Sequence, residues 1–461
     1  MFPEEFIKRI STQKYLDADG LLGALREESP VSIRINKLKW DSEPENAEAV
    51  PWCSSAYYLA SRPSFTLDPL YHAGCYYPQE ASGMFIEQVI RQLVDTSGYL
   101  KVLDLCGAPG GKSAHISSLI GSESLLVSNE VIRQRSAILA ENITRWGVSN
   151  TVVTRNDPSV FSRLPGFFDL ILVDAPCSGE GMFRDRIAVD EWSPGNTLLC
   201  AERQRRILAD VWPALKTGGI LIYSTCTFNP GENEENVLWL TGQEEAESIS
   251  LDISGFDGIT AISSGGIQAY GFHPGKIKGE GLFISVLRKT GKADGRINAA
   301  GKRYRDEIRH PDRGIAERWS GFNTENLLRR GEDIYFFPGR PSDFSLVDSY
   351  LTVILPGTRI CSARRKGYIP AHELALSAGL KAGSFPSADL DLKQALVWLR
   401  KEIPEGIEAP AGWFTASFRG VRLGFGNNIG NRVNNYYPVM QRIRMSIPDD
   451  PEKLIIKWAD N

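Results

Sequence analysis

Several things are missing from this 461-residue sequence, and each absence narrows what the chain can be. No apolar run is long enough to cross a bilayer, and the opening MFPEEFIKRI places carboxylates where a secretory signal carries basic residues followed by an apolar stretch. A cytosolic protein without membrane contact is therefore expected. A strong charge of either sign is also absent. With a formal net charge of -4, any surface that attracts a polyanion must be local and offset elsewhere. The seven cysteines (Cys53, Cys75, Cys106, Cys177, Cys200, Cys226 and Cys361) include no Cys-x-x-Cys pair and no histidine-bearing ligand spacing. That pattern speaks against a disulfide framework and against a zinc site, so no metal is expected. Internal repeats are absent as well.

What is there begins with regular alternation after Lys101. The runs KVLDL, SLLVSNE, NTVVTRND, FDLILVDAP and GGILIYSTC are short and apolar, and most are separated by stretches of helical character. Strands this apolar suit burial on both faces. The expected core is thus an α/β doubly wound, Rossmann-like parallel sheet with ligands at the carboxyl ends of its strands. Between the second and third strands, Ile132, Leu139, Ile143 and Trp146 fall at helical spacing, with Gly147 as the stop. A last strand, GLFISVLRK, closes this central domain, which is expected to span 99–290. The flanks divide into an N-terminal accessory segment at 1–98 with its own strand VSIRINKL, a polar linker at 291–302, and two C-terminal units at 303–380 and 381–461.

The loop LDLCGAPGGKSAH follows the first strand and ends in Gly-Lys-Ser, as a phosphate-binding loop does. Counting back from Gly111 and Lys112, however, the position that should be the first glycine is Cys106. Its Cβ restricts a turn that has to wrap phosphates with backbone amides. A P-loop NTPase stays open as an alternative, since LILVD ends in Asp174 where a magnesium-binding aspartate would stand. The loop itself, with Gly107, Gly110 and Gly111 for close backbone approach and Pro109 for rigidity, suits a nucleoside better. Glu130 ends the next strand, at the distance where a carboxylate accepts ribose hydroxyls, and Asp157 follows the third, placed to meet an adenine amino group. Each acid alone is more often a solvated strand end. Three in succession favour a cationic nucleoside, and S-adenosylmethionine fits.

Two cysteines come next, Cys177 after the fourth strand and Cys226 after the fifth. A cysteine chosen at random is usually a small buried hydrophobe. These two lie in polar turns just past strand ends, where such a sheet places its chemistry. A thiolate that adds to carbon 6 of a pyrimidine makes carbon 5 nucleophilic enough to take a methyl group. Asp174, beside Ala175 and Pro176, is positioned to stabilise the ring at N3.

Taken together, DLCGAPGGK, DAPCSGEG and YSTCTFNPGENEENV resemble the family of RNA 5-methylcytosine methyltransferases, and YYPQEAS and HPGKIKGEGLFISVLRK extend the likeness. The resemblance implies Cys226 as nucleophile, Cys177 in product release and Asp174 at the base. It also implies that Cys106, Gly107, Ala108, Pro109, Gly110, Gly111, Lys112, Glu130, Asp157 and Asp174 surround S-adenosylmethionine. Lys112 is left with two roles, at the methionine carboxylate or in the fold of its own loop.

From Gly412 to Pro448 the chain carries Arg419, Arg422, Arg432, Arg442 and Arg444 without a single carboxylate. Interleaved aromatics (Trp413, Phe414, Phe418, Phe425, Tyr436 and Tyr437) suit the core of a small β-barrel, which leaves the arginines as a surface for an RNA backbone. The tail is similar to the PUA-like RNA-binding domain of bacterial methyltransferases of the 16S ribosomal RNA decoding region. The resemblance implies a monomer acting on ribosomal RNA or the small ribosomal subunit, with transfer RNA as an alternative substrate. A non-catalytic RNA-binding protein is the remaining alternative.

Overall fold

A computed structural model describes residues 2–292, 295, 297 and 308–459. Its centre is a ten-stranded sheet: β1 (Lys101–Asp104), β2 (Leu125–Asn129), β3 (Thr151–Thr154), β4 (Phe168–Asp174), β5 (Leu215–Thr225), β6 (Ala246–Ser248), β7 (Thr260–Ser264), β8 (Ile267–Phe272), β9 (Leu282–Lys289) and β10 (Val353–Leu355). The spatial order is β7-β8-β9-β5-β4-β1-β2-β3-β10, with β6 also paired to β9. The five expected strands, β1 to β5, are mutually parallel, and β9 joins β5 antiparallel. The chain reverses direction across the sheet at β1, which lies between β2 and β4. A crevice therefore opens at the carboxyl ends there.

Alternation along these strands explains why both faces are dry. Leu103, Ile171, Val173 and Leu221 belong to one hydrophobic cluster, whereas Val102, Leu170, Leu172, Ile220 and Ile222 belong to the cluster on the other side. Neighbouring residues on a strand point to opposite faces, so a run that is apolar throughout must be covered twice. The helix Arg133–Trp146 buries Leu139, Ile143 and Trp146, and Gly147 ends it in the left-handed conformation at φ +79°. Ile132 departs from the expected packed face. It precedes the helix and is half exposed.

The flanking units are less separate than the sequence suggests. Residues 2–98 hold a four-stranded sheet; its Ile33 and Ile35, with Leu67 and Leu70 of the short helices beside it, share a core with Leu396, Trp398, Phe414 and Trp458 near the other end of the chain. Backbone hydrogen bonds from Ser64 N to Leu454 O and from Ala459 N to Glu43 O join the same two regions. The unit expected at 303–380 contributes β10 to the edge of the central sheet, with Val353 opposite Thr154 and Leu355 opposite Val153. Most of the linker expected at 291–302 falls outside the described residues. In the last unit four strands, Ser387–Asp389, Gly412–Phe418, Val421–Asn428 and Val433–Asn435, pair in chain order. Phe414, Phe418, Phe425 and Tyr437 are buried as expected, while Tyr436 is 37% exposed.

Candidate active site

Beyond β1 the chain turns through Leu105–Gly110 into the helix Gly111–Leu119. Gly107 is required by close approach: its amide donates to Asn129 O at 2.7 Å, and a Cβ there would come within 2.5 Å of Ser128 Oγ. Gly110 is required by conformation, with φ +120°. Asp104 at the end of β1 is fully buried, and its Oδ2 accepts from Ser113 Oγ. Burial pushes its carboxyl up to about 7, with Ser113 opposing and Asp174 adding to the rise. The other oxygen, Oδ1, has no hydrogen-bond partner. Asp104 was missed at the sequence level, although it stands inside the quoted DLC motif at a strand end.

A cavity of about 470 Å³ opens over this turn, within the usual range for a small-molecule site. Cys106, Ala108, Glu130, Asp157 and Asp174 line it, together with Cys177 and Cys226. Gly107, Pro109, Gly110, Gly111 and Lys112, expected there too, do not line it; they form the turn and the start of the helix after it. Glu130 is buried, its Oε1 accepting from Ile132 N at 2.9 Å. Asp157 accepts from Ser159 N and Ser159 Oγ, and these bonds hold its carboxyl below the usual range. An acidic wall around a cavity of this size, with the orphaned Asp104 oxygen beneath it, fits a cationic nucleoside such as S-adenosylmethionine.

Asp174 ends β4 and is paired with Lys112. Its Oδ2 accepts from Lys112 Nζ at 2.8 Å and its Oδ1 from Ser224 Oγ at 2.8 Å. Burial draws the lysine's pKa down, but Asp174 outweighs it and the net shift is upward, so Lys112 stays an ammonium. In this geometry the lysine orients a carboxylate at the rim, a different use from holding a γ-phosphate.

Because β4 and β5 are neighbours, Cys177 and Cys226 meet, with Sγ atoms 3.1 Å apart. Cys226 N also donates to Cys177 Sγ at 3.3 Å, and Met182 Sδ lies 3.8 Å from Cys226 Sγ. The hydrogen bond with Cys226, followed by burial, raises the Cys177 thiol well above its ordinary pKa. Cys177 therefore holds its proton more tightly than a free thiol.

The motif residues around the thiols form their support. Glu232 accepts from Ser178 N and Ser178 Oγ, and Gln204 Nε2 bridges Pro176 O and Glu232. Asn233 Nδ2 donates to Thr227 O. Glu180, wholly buried, accepts from Phe228 N and Trp192 Nε1 and pairs with Arg9 of the N-terminal helix Glu4–Ile10. The acids and amides of GENEEN thus tie the two cysteine loops to each other.

The five arginines of the C-terminal stretch divide. Arg419, Arg432, Arg442 and Arg444 are exposed, and the last two flank a shallow depression with Arg400 and Lys401. Arg422 is half-buried, and its guanidinium donates to Ala375 O at 2.8 Å and Ser377 O at 2.9 Å. It braces the helix His372–Leu376 against its own strand, which corrects its expected place on the open surface.

Comparison with known proteins covers the chain from end to end. Residues 2–81 match the N-terminal domain of 16S rRNA methyltransferase RsmF, residues 93–288 match 16S rRNA methyltransferase RsmB/F, and residues 385–443 match the methyltransferase RsmF PUA domain. Ribosomal RNA small subunit methyltransferase F of Salmonella agona (strain SL483) is 31% identical over 474 residues, which are 95% of this chain and 96% of that protein. Among solved structures, a methyltransferase homolog protein from Pyrococcus horikoshii is 27% identical with a TM-score of 0.53, covering 62% of this chain and 95% of the other. The structure of NSun6 from Pyrococcus horikoshii with SFG has a TM-score of 0.54 at 21% identity, covering 63% and 99%, and shares the fold. The motifs, the sheet order and this end-to-end match agree: the chain belongs to the ribosomal RNA small subunit methyltransferase F family.

Proposed function

We propose that the protein methylates carbon 5 of cytosine in 16S ribosomal RNA, in the decoding region, through a covalent adduct between Cys226 and carbon 6 of the ring. The observation that carries this reading is the pair of thiols 3.1 Å apart at the rim of an acidic cavity, with Asp174 beside them. The ribosomal RNA named for the relatives, and the S-adenosylmethionine analogue SFG bound to a protein of the same fold, support the substrate and the donor.

S-adenosylmethionine, when bound, supplies an electrophilic methyl group. The protein's share is to make carbon 5 attack it. Cys226 adds to carbon 6, forming a C–S bond while its thiol proton goes to N3, which leaves carbon 5 electron-rich. Asp174, anchored by Lys112 and Ser224, receives the N3 side of the ring. After transfer a solvent base takes the carbon 5 proton, the carbon 5–carbon 6 double bond re-forms as the C–S bond breaks, and the N3 proton returns to Cys226. Cys177, hydrogen-bonded to Cys226, assists that release. Since the thiol approaches the ring from its face, the cytosine is splayed from its stack. The exposed C-terminal arginines hold the surrounding backbone.

The test is transfer of labelled methyl from S-adenosylmethionine to purified 16S RNA or small subunits, followed by bisulfite sequencing. A protected cytosine in the decoding region is expected. Label on another base, or on transfer RNA alone, overturns the assignment.

A further inference from the structure

Away from this cavity, three side chains converge that no sequence spacing links. Cys53 sits in the turn before the strand Ala56–Leu59, Glu87 on the helix Ile86–Leu93 and His115 on the helix Gly111–Leu119. All three are at least 97% buried. Their donor atoms form a triangle: Glu87 Oε2 lies 3.0 Å from His115 Nε2 and 3.1 Å from Cys53 Sγ, and Cys53 Sγ lies 3.7 Å from His115 Nε2. Among the described residues this is the one group of three metal-ligating side chains brought so close. Three ligands at about 2.0–2.3 Å around a tetrahedral ion stand about 3.3–3.6 Å apart, so small shifts seat such an ion.

We propose that Cys53, Glu87 and His115 form a zinc-binding site that clamps the N-terminal segment to the helix following the glycine loop.

Three further observations support it. Glu87 Oε1 is held from behind by Ser54 N at 3.1 Å and Arg91 at 2.8 Å, which turns Oε2 toward the other two donors. Carboxylate ligands of metals are oriented by outer hydrogen bonds of this kind. Second, Cys53 Sγ and His115 Nε2 both approach the same carboxylate oxygen, Glu87 Oε2, so the three donors face one point. Third, Glu87 and His115 line a cavity of about 450 Å³, with room for a water as fourth ligand. One thiolate, one imidazole and one carboxylate suit a borderline ion such as Zn²⁺ and disfavour Mg²⁺ and Ca²⁺, which prefer oxygen alone.

Binding is balanced in protons. The Cys53 thiol loses its proton to solvent as the S–Zn bond forms, and the neutral imidazole offers Nε2 while its proton resides on Nδ1. Metal binding therefore releases one proton per chain.

The experiment titrates chelator-treated, untagged full-length Cys177→Ser/Cys226→Ser protein with Zn²⁺ against a chromophoric chelator. Without those thiols, the reactive pair cannot be the binder. One equivalent per chain is expected, with a zinc-edge absorption spectrum showing one sulfur neighbour, and Co²⁺ should give a thiolate charge-transfer band. Outer-shell changes alone cost about 10- to 100-fold in metal affinity, so Cys53→Ser and His115→Gln should each weaken binding at least about 100-fold. His115→Gln keeps a hydrogen-bonding side chain, and circular dichroism checks that it folds. The proposal is overturned by no bound equivalent in the Cys177→Ser/Cys226→Ser protein, by a site without sulfur, or by undiminished binding in folded His115→Gln.

Discussion

The carboxyl rim of the central sheet and the arginine-bearing sheet near the C-terminus both display side chains from strand ends and turns, yet they respond to sequence in different ways. At the rim, position on the parallel sheet decides nearly everything: β4 and β5 are neighbours, so the residues just past their ends must meet. In the C-terminal sheet the same residue type has two fates. Arg432 faces solvent, whereas Arg422 spends its guanidinium on two carbonyls of an adjacent helix. Shared geometry makes the rim cooperative, and its absence makes the arginines individual. The rim should therefore fail as a unit, and the arginine surface piece by piece.

The largest effect belongs to the thiols. Cys226→Ala should abolish methyl transfer and leave no covalent complex, whereas Cys177→Ala should trap a protein-RNA adduct that survives denaturing electrophoresis. The two residues touch, so an equal loss of rate in both variants with no adduct in either would show that they act only as packing. Next comes Asp174→Asn, which removes the charge paired with Lys112 at the position proposed to meet N3. Loss of one positioned electrostatic group in an active site costs about 10²- to 10³-fold in kcat. Single-turnover methylation is the measurement, and a loss below tenfold would detach Asp174 from the chemistry.

How far these regions could be read without coordinates follows the same division. The parallel strands, the helix stop at Gly147 and the two rim cysteines were legible because each rests on local pattern: apolar runs, a glycine after a helix, polar turns after strands. The pairing of Lys112 with Asp174 was not, since it is a 2.8 Å approach to a residue 62 positions away. Nor was β10, whose Val353–Leu355 is too short to announce which sheet it completes. Cys53, Glu87 and His115 escaped for a related reason. Ligand spacing is a signal only when one or two local elements carry the ligands, and here three separate elements do.

Smaller effects test the arginines. Arg422→Ala strips two charged hydrogen bonds from Ala375 O and Ser377 O and should lower stability by about 2 kcal/mol in urea unfolding. RNA affinity per folded molecule should hardly change. A variant of full stability with weaker RNA binding would return Arg422 to the contact surface and erase the contrast with its exposed neighbours.

Arg442 and Arg444 sit at the low end of the scale and separate the two regions most cleanly. Both are exposed and flank the depression shared with Arg400 and Lys401. A phosphate contact contributes through counterion release, so each alanine variant should reduce the slope of log K against log salt by about 1 and weaken every RNA sequence alike. Stability and the adduct formed by the Cys177→Ala background should stay as they are. Filter binding across a salt series reads the slope directly. If the slope is unchanged while the rate of adduct formation falls, these arginines act on the cytosine site, and the two surfaces are one after all.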